Sequence, residues 1–478
     1  MTLFRLHRSR QVGFVVVGLL CAGGGAALAA GDEPVRPRFE SIRYLEDWSL
    51  FRPVEPGRPL DGLKHVPLDE SGDVWVRFGG DARIRGEYWR NFNFVGGSAG
   101  EDAYLLSRLM AHVDLHLGEH FRVFVEGKSA LASDRDLPGG RRTSDINALD
   151  LQNAFVELAA ESTHETRFSI TAGRREMSLG RGRIVGTSAF SNSSRTLDGL
   201  TATVEEGPWV FTGFWARQPR TLKYRFDDGN GGRTVYGIYA VRDYAIECAS
   251  GTVDLYWIGL DRPEVRFNGD AGDERRHTVG TRLSGKFGNI PLDYDFEAAV
   301  QFGSVGSADA TGYMLAAEVG YTFAGMWGKP RVYGLFDVAS GDDRAGDGDV
   351  RTWSQGLSAM HSPMGITDVI GRQNIMDVGM GLTLNPDRRW RITAEAHWFF
   401  REQTADAMYD SGGRVLFPGS AGSARELGQE ILLRVTYRAT EQLTFNLGAA
   451  RFFAGDFVEQ AGAGRDIDFI YLEGSWRF

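Results

Sequence analysis

Residues 74–89 read VWVRFGGDARIRGEYW, and they alternate without a break. Val74, Val76, Phe78, Gly80, Ala82, Ile84, Gly86 and Tyr88 fall on one face of an extended chain, while Arg77, Asp81, Arg83, Arg85 and Glu87 fall on the other. A period of 2 specifies a strand and excludes a helix, whose period is 3.6. Such a strand is nearly three times the commonest globular length of about 5–6 residues. A chain built from strands this long, greasy on one face and charged on the other, has few folds open to it.

The same pattern recurs. LDYDFEAAVQFG sets Tyr294, Phe296, Ala298, Val300 and Phe302 against Asp293, Asp295, Glu297 and Gln301. RWRITAEAHWFFR sets Trp390, Ile392, Ala394, Ala396, Trp398 and Phe400 against Arg391, Thr393, Glu395, His397 and Arg401. We predict about eighteen strands, centred near residues 82, 110, 125, 154, 170, 200, 213, 238, 256, 281, 297, 317, 335, 380, 395, 432, 447 and 472. Long or polar connections are expected at 90–103, 132–148, 177–194, 218–233, 261–275, 340–373 and 402–425, with shorter ones near 304–311 and 454–466. They alternate with brief turns such as LGEH (117–120), EEGP (205–208), FGNIP (287–291), NPDRR (385–389) and ATEQ (439–442). Alternation of short turns and long loops is the signature of an all-β, antiparallel, up-and-down transmembrane barrel. A Greek-key sandwich has no reason for it. Because every backbone group inside a bilayer must be paired, strands can cross only as a closed barrel. The apolar face therefore meets lipid, and the charged face is expected to line a wet lumen.

The ends of the chain agree with that reading. Arg5, Arg8 and Arg10 precede an apolar core from Val12 to Leu20, and AALAAG offers small residues for cleavage after Ala29. Residues 1–29 are thus expected to be a secretory signal peptide, 30–72 an N-terminal segment in or under the periplasmic mouth, and 73–478 the barrel. Cleavage leaves Cys248 as the one cysteine, so no intrachain disulfide is available. The last strand ends on Phe478 with Trp476, Gly474, Leu472 and Ile470 alternating behind it, resembling the terminal signal of bacterial outer-membrane barrels. The expected location is the outer membrane of a Gram-negative cell, with its lipid as the surrounding partner.

Motifs for chemistry are sparse. His112, His116 and His120 are four apart, but on a strand that spacing separates them by roughly 13 Å, too far to share an ion. Asp342, Asp343, Asp347 and Asp349 crowd one outer loop without the EF-hand spacing. His112, His277 and His397 phase inward near mid-strand, and none has a nucleophile beside it in sequence. No Walker loop, nucleophile elbow, zinc-protease motif or dinucleotide fingerprint occurs. No enzyme, cofactor, metal or nucleic-acid partner is expected.

What remains is the charge on the inward faces. Arg77, Arg83, Arg85, Arg108, Arg122, Lys128, Arg276, Arg282, Arg331, Arg391, Arg401 and Arg434 phase inward. So do Asp81, Glu87, Asp114, Glu126, Asp293, Asp295, Glu297, Glu318, Asp337, Glu395, Glu426 and Glu430. The two sets balance but are unevenly spread. Six of the bases lie on the first three strands, and the four acids at 293–318 have no inward base between them. Opposed ladders of this kind give a transverse field that orients charged solutes.

Several stretches together resemble the alginate export family of outer-membrane barrels: SIRYLEDWS (41–49), GGDARIRGEY (79–88), LQNAFVEL (151–158), AGRREMSLGRGRIVG (172–186), ERRHTVGTR (274–282) and the terminal FIYLEGSWRF. The resemblance implies a monomeric barrel of eighteen strands that passes an anionic polyuronate through an arginine-rich constriction. Arg174 and Arg175, in the GRR of the fourth stretch, would lie beside that constriction. The pore-lining residues expected to bind substrate are then Arg77, Arg83, Arg85, Arg108, Arg122, Lys128, Arg174, Arg175, Arg282 and Arg391. The partners are an anionic sugar polymer or oligomer and, for export, a periplasmic component. A general small-solute porin and a plugged structural or adhesive barrel are the alternatives.

Overall fold

A computed structural model describes residues 36–51, 58, 60–162, 166–361 and 363–478. The expected signal peptide lies outside the described residues. Eighteen long strands follow one another in antiparallel order. They are β1 (Val74–Arg90), β2 (Asp102–Leu117), β3 (Phe121–Ala132), β4 (Asn147–Glu161), β5 (Arg167–Arg175) and β6 (Leu197–Glu206). Next come β7 (Trp209–Arg220), β8 (Asp228–Ile246), β9 (Ala249–Arg266), β10 (Ala271–Phe287), β11 (Leu292–Val305) and β12 (Ala308–Thr322). The last are β13 (Arg331–Ala339), β14 (Ile375–Leu384), β15 (Trp390–Phe400), β16 (Glu426–Arg438), β17 (Leu443–Ala454) and β18 (Ile467–Arg477). Every predicted strand centre falls inside one of them.

The sheet closes on itself. β1 pairs with β18 from Asp81↔Arg477 to Arg90↔Asp468, and Gly80 and Phe478 exchange backbone hydrogen bonds of 2.9 and 3.1 Å below that ladder. Among the described residues the eighteen-strand barrel has no open edge, as a span through hydrocarbon requires. Ile84, Leu105, Leu109, Ile170, Leu200, Ile238, Val300 and Leu472 project outward as a lipid-facing belt. Among the described residues, no helix is long and apolar enough to cross a membrane.

Three expected loops are mostly strand, among them 304–311, which shrinks to a turn at 306–307. The 218–233 connection shrinks to 221–227, and the 261–275 connection to 267–270. Here the side chains turn polar on both faces while the backbone ladder continues: Asp261 pairs with Arg275, and Arg262 with Glu274, before a bulge at which Glu264 takes a φ of 52°. Alternation reports two solvents, and it fades once both faces are wet although pairing persists. His277 is a second correction. Arg276 and Thr278 are buried inward, and His277 stands on the outer face, stacked on Trp257 at 5.7 Å.

The hydrophobic core lies inside the barrel. Toward the long-loop end many inward positions are apolar: Trp89, Tyr104, Leu106, Phe214, Tyr256, Ile258, Phe399, Phe452 and Phe469. The connection 340–374 folds down among them, burying Trp353, Leu357, Ile366, Val369 and Ile370 almost completely. β13 and β14 still pair directly across this excursion, from Arg331↔Thr383 to Ala339↔Ile375. The expectation of a charged, wet face holds in full only for the half nearer the short turns, although Glu87, Arg276 and Glu430 still point inward beyond it. In the other half, the apolar residues of HSPMGITDVI fill the interior.

At the short-turn end, the N-terminal segment enters the barrel. Tyr44 packs edge-on against Phe124 and Phe155, and Trp48 is fully buried beside Phe51 and Trp75. Val66–Pro67 adds two residues of antiparallel ladder to Val76–Trp75. The carboxylate of Glu46 organises this insert. It accepts from Arg43 at 2.6 Å, Arg77 at 3.0 Å, the Trp48 indole at 2.9 Å and the Glu40 amide at 3.0 Å. Burial alone would raise that carboxyl, but Arg43 and Arg77 outweigh it and hold it below its ordinary value.

Candidate functional site

The candidate site is the lumen wall together with the loop that crosses it. Loop 176–196 leaves β5, spans to β11 and β12, and returns to β1. At the start Tyr44 donates to the Glu176 carbonyl at 2.6 Å, and the Glu176 amide donates to Asn153 at 2.8 Å. Across the lumen, Arg181 meets Glu318 at 2.9 Å, and Arg183 meets Asp295 and Glu297 at 2.8 Å each. Val185 bridges to Leu357, so this loop and the 340–374 excursion support one another. On the return, Arg83 donates to the carbonyls of Ala189 (3.2 Å) and Ser191 (3.0 Å), and Arg85 to that of Phe190 (2.7 Å). The Arg85 guanidinium also lies 3.8 Å over the Phe190 ring, a cation–π contact.

The arginines of the first three strands are thus committed to partners. Arg77 sits between Glu46 and Asp114, at 3.0 and 2.9 Å, with no exposed surface. Arg108 pairs with Asp81 at 3.2 Å, and Arg122 with Asp114 at 2.7 Å and the Tyr44 carbonyl at 2.8 Å. Lys128 donates to Ser193 of the crossing loop at 3.3 Å. A guanidinium can reach past its own wall to fix a loop backbone, because its planar fork presents five donors. Strand phase places these groups inward but carries no information about that second partner.

The acids at 293–318 are answered from outside their own strands. Arg282 donates to Asp295 at 2.9 Å and to Asp254 at 3.1 Å, and Arg331 meets Asp293 at 2.5 Å and Glu318 at 2.8 Å. With Arg181 and Arg183 added from the loop, the wall that looked bare of bases is largely compensated. The GRGR of the family-like stretch carries these two loop arginines, and their sequence signal was present but unphased. Asp342, Asp343, Asp347 and Asp349 likewise gather round one residue, Arg351, at 2.6–3.4 Å. Among the described residues, no group of three or more His, Cys, Asp or Glu side chains is arranged to hold a metal ion.

Three expected site residues differ from the rest. Arg174 bonds Asp198 at 2.6 Å and Asp150 at 2.9 Å. Arg175 donates to the neutral Thr201 hydroxyl at 2.7 Å and is paired with no carboxylate among the described residues. Arg391, on the inward face of β15, makes no hydrogen bond or ion pair among the described residues. Its ladder partner is Thr436, so Arg434 and Arg438 stand two residues to either side of it on the facing strand. Diagonal neighbours in a ladder are roughly 7–8 Å apart, which gathers three guanidinium groups on one patch of wall. Arg434 also meets Glu395 at 2.6 Å.

A family model described as alginate export matches residues 74–470, from the start of the first barrel strand into the last one. The chain belongs to this family. Members are outer-membrane channels by family and fold, and the short turns of such barrels face the periplasm. No curated protein sequence matches the chain. Among solved structures it is similar to the BenF-like porin from Pseudomonas fluorescens Pf-5, with a TM-score of 0.55 and 11% identity over 84% of this chain and 98% of that one. It is similar also to Pseudomonas aeruginosa OccK5 (OpdH), with a TM-score of 0.53 and 12% identity over the same shares. A third is P. aeruginosa OccK2 (OpdF), solved in complex with glucuronate, with a TM-score of 0.54 and 12% identity over 84% and 98%. At such identities the likeness is one of fold.

Proposed function

We propose that this alginate export family barrel passes an anionic sugar polymer or oligomer of the oligouronate type, by passive diffusion, as a monomer. The observation that carries the reading is the lumen patch around Arg391, where guanidinium groups outnumber carboxylates on one wall. Arg175 supplies a second basic contact on the opposite side. Substrate carboxylates pair bidentately with guanidinium groups, and conduction demands that each such site be weak enough to release its ion. Of the remaining expected contacts, Arg77, Arg83, Arg85, Arg108, Arg122 and Lys128 act on this reading by holding the inserts that narrow the path, and Arg174 and Arg282 by bracing the wall through Asp198 and Asp295. The family supports an anionic polymer. The glucuronate bound in OccK2 supports a uronate as its unit.

A second reading, a general porin for small solutes, is favoured by the pairing of the bases on the first three strands. Reconstitution in a planar bilayer separates the two. Oligouronates should block the wild-type current in a concentration-dependent manner, neutral oligosaccharides of equal length should not, and R175Q/R391Q should raise the blocking concentration about tenfold. A pore that conducts and ignores oligouronates would establish the general porin.

A further inference from the structure

Beyond the lumen, the short-turn rim holds a cleft of about 550 Å³ lined by Arg58, Arg388, Arg389, Arg438, Glu441 and the residues between Arg438 and Gln442. Its chemistry is one-sided. Arg58 is taken up by Glu441 through two hydrogen bonds. Arg388, Arg389 and Arg438 are exposed, and among the described residues their side chains make no hydrogen bond or ion pair. Three free guanidinium groups converging on one concavity differ from a solvated charged face, where they would diverge or meet acids.

Register connects this cleft to the lumen. The Arg438 amide donates to the Arg389 carbonyl at 2.8 Å, continuing the β15–β16 ladder in which Arg391 faces Thr436 and Thr393 faces Arg434. Arg389, Arg391 and Thr393 share one face of the chain, and Arg434, Thr436 and Arg438 share the facing one. That face is the inward one, because Ile431 and Leu433 project to lipid from the alternate positions. The outward neighbours Trp390 and Tyr437 stack at 4.4 Å as part of the interfacial aromatic girdle. The guanidinium groups of the rim therefore run on into those around Arg391 along one side of the barrel.

We infer that the cleft formed by Arg388, Arg389 and Arg438 is a capture site for carboxylates of an anionic sugar chain at the periplasmic mouth, delivering it to Arg391. This inference rests on the proposed function and adds an entry point and a side to it. Exposed like charges in a concavity raise the local concentration of an oppositely charged solute and its association rate, by about tenfold or more at low salt. The bond at each group stays weak because water competes for it.

The test measures the blocking on-rate of oligouronates added to one face of the bilayer at a time. Cys248 lies exposed in the short turn between β8 and β9, so a bulky thiol reagent added to one chamber reports which face is periplasmic. In R388Q/R389Q, with R388Q alone as a milder second variant, the on-rate from the short-turn side should fall about tenfold at low salt. The difference should vanish near 1 M salt, where charges are screened beyond about 3 Å. The on-rate from the long-loop side should be unchanged. Wild-type block with an unaltered short-turn on-rate in both variants would overturn the capture site and leave the proposed function standing. Absence of wild-type block from either side would overturn both. A loss of block that is equal from the two sides would also overturn the capture site, since it would place these groups in the common path.

Discussion

Replacing Glu46 by glutamine should release the N-terminal insert from the barrel. The carboxylate has no exposed surface and balances two buried guanidinium groups, those of Arg43 and Arg77. Breaking a buried pair by removing one partner costs about 3–5 kcal/mol. Here the lower figure applies, because Arg77 keeps Asp114 at 2.9 Å and Arg43 keeps the Phe478 carbonyl at 2.9 Å. A loss of about 3 kcal/mol multiplies the undocked population roughly 150-fold, at 1.4 kcal/mol per factor of ten. Lys64 is 1% exposed and donates to the Phe78 carbonyl at 3.0 Å when docked, so it is cut by trypsin only on release. Site-resolved digestion in detergent should show cleavage after Lys64 accelerating by about two orders of magnitude in E46Q, with loop cleavages unchanged. Proteolysis follows the open population when opening outpaces cutting. An E46Q rate within about threefold of wild type would refute the assignment of Glu46 as the organising group. The pH dependence has a definite sign. A carboxyl held below its free value of 4.5 contributes docking stability that is complete above that pH. It is lost as pH falls through the lower, docked value, so pepsin should find the wild-type insert progressively accessible below about pH 4.5.

Two further outcomes are expected. Glu176 is pushed up to about 7, first by burial and then by the Glu126 carboxylate. Its folded value exceeds its unfolded one, so it costs stability increasingly between about pH 4.5 and 7. E176Q should therefore stabilise the barrel by up to about 3 kcal/mol at pH 8, but not at pH 4, and equal melting shifts at the two pH values would contradict this. Arg183 balances Asp295 and Glu297, so R183Q should leave Glu297 without a loop arginine and Asp295 with only Arg181, at 3.9 Å. The reversal potential under a salt gradient should move toward cation selectivity, and an unmoved potential would show that the ions never pass this wall.

The strands were legible because a lipid-facing position and a lumen-facing position differ in chemistry at every second residue. All eighteen centres follow from that contrast alone. Where it vanishes the reading drifts: the polar upper parts of β8, β9 and β10 passed for loop, and His277 was phased to the wrong face beside Arg276. The interior was harder to read. Met360, Met364, Ile366, Val369 and Ile370 are visibly apolar in a long connection, but only tertiary packing shows that they fill the barrel. Inward arginines were likewise identified by phase, yet whether a guanidinium faces solvent, as near Arg391, or a loop carbonyl, as at Arg83 and Arg85, depends on segments distant in sequence. The arginines of the rim sit in or beside the turns NPDRR and ATEQ, where the sequence alone marks them as turn residues. Their convergence appears only when two turns are brought side by side.

The insert carries one more implication. Arg43 donates to the carbonyls of both Gly80, on the first strand, and Phe478, at the very end of the chain, at 2.5 and 2.9 Å. Its docking surface thus straddles the seam and does not exist until the first and last strands have met. The segment that precedes the first strand must wait for the last strand, and its arrival latches the closed ring. Until then both seam strands keep unpaired edges, and afterwards those edges are closed. Assembly order is in this way written into a single side chain that reads two ends of the molecule at once.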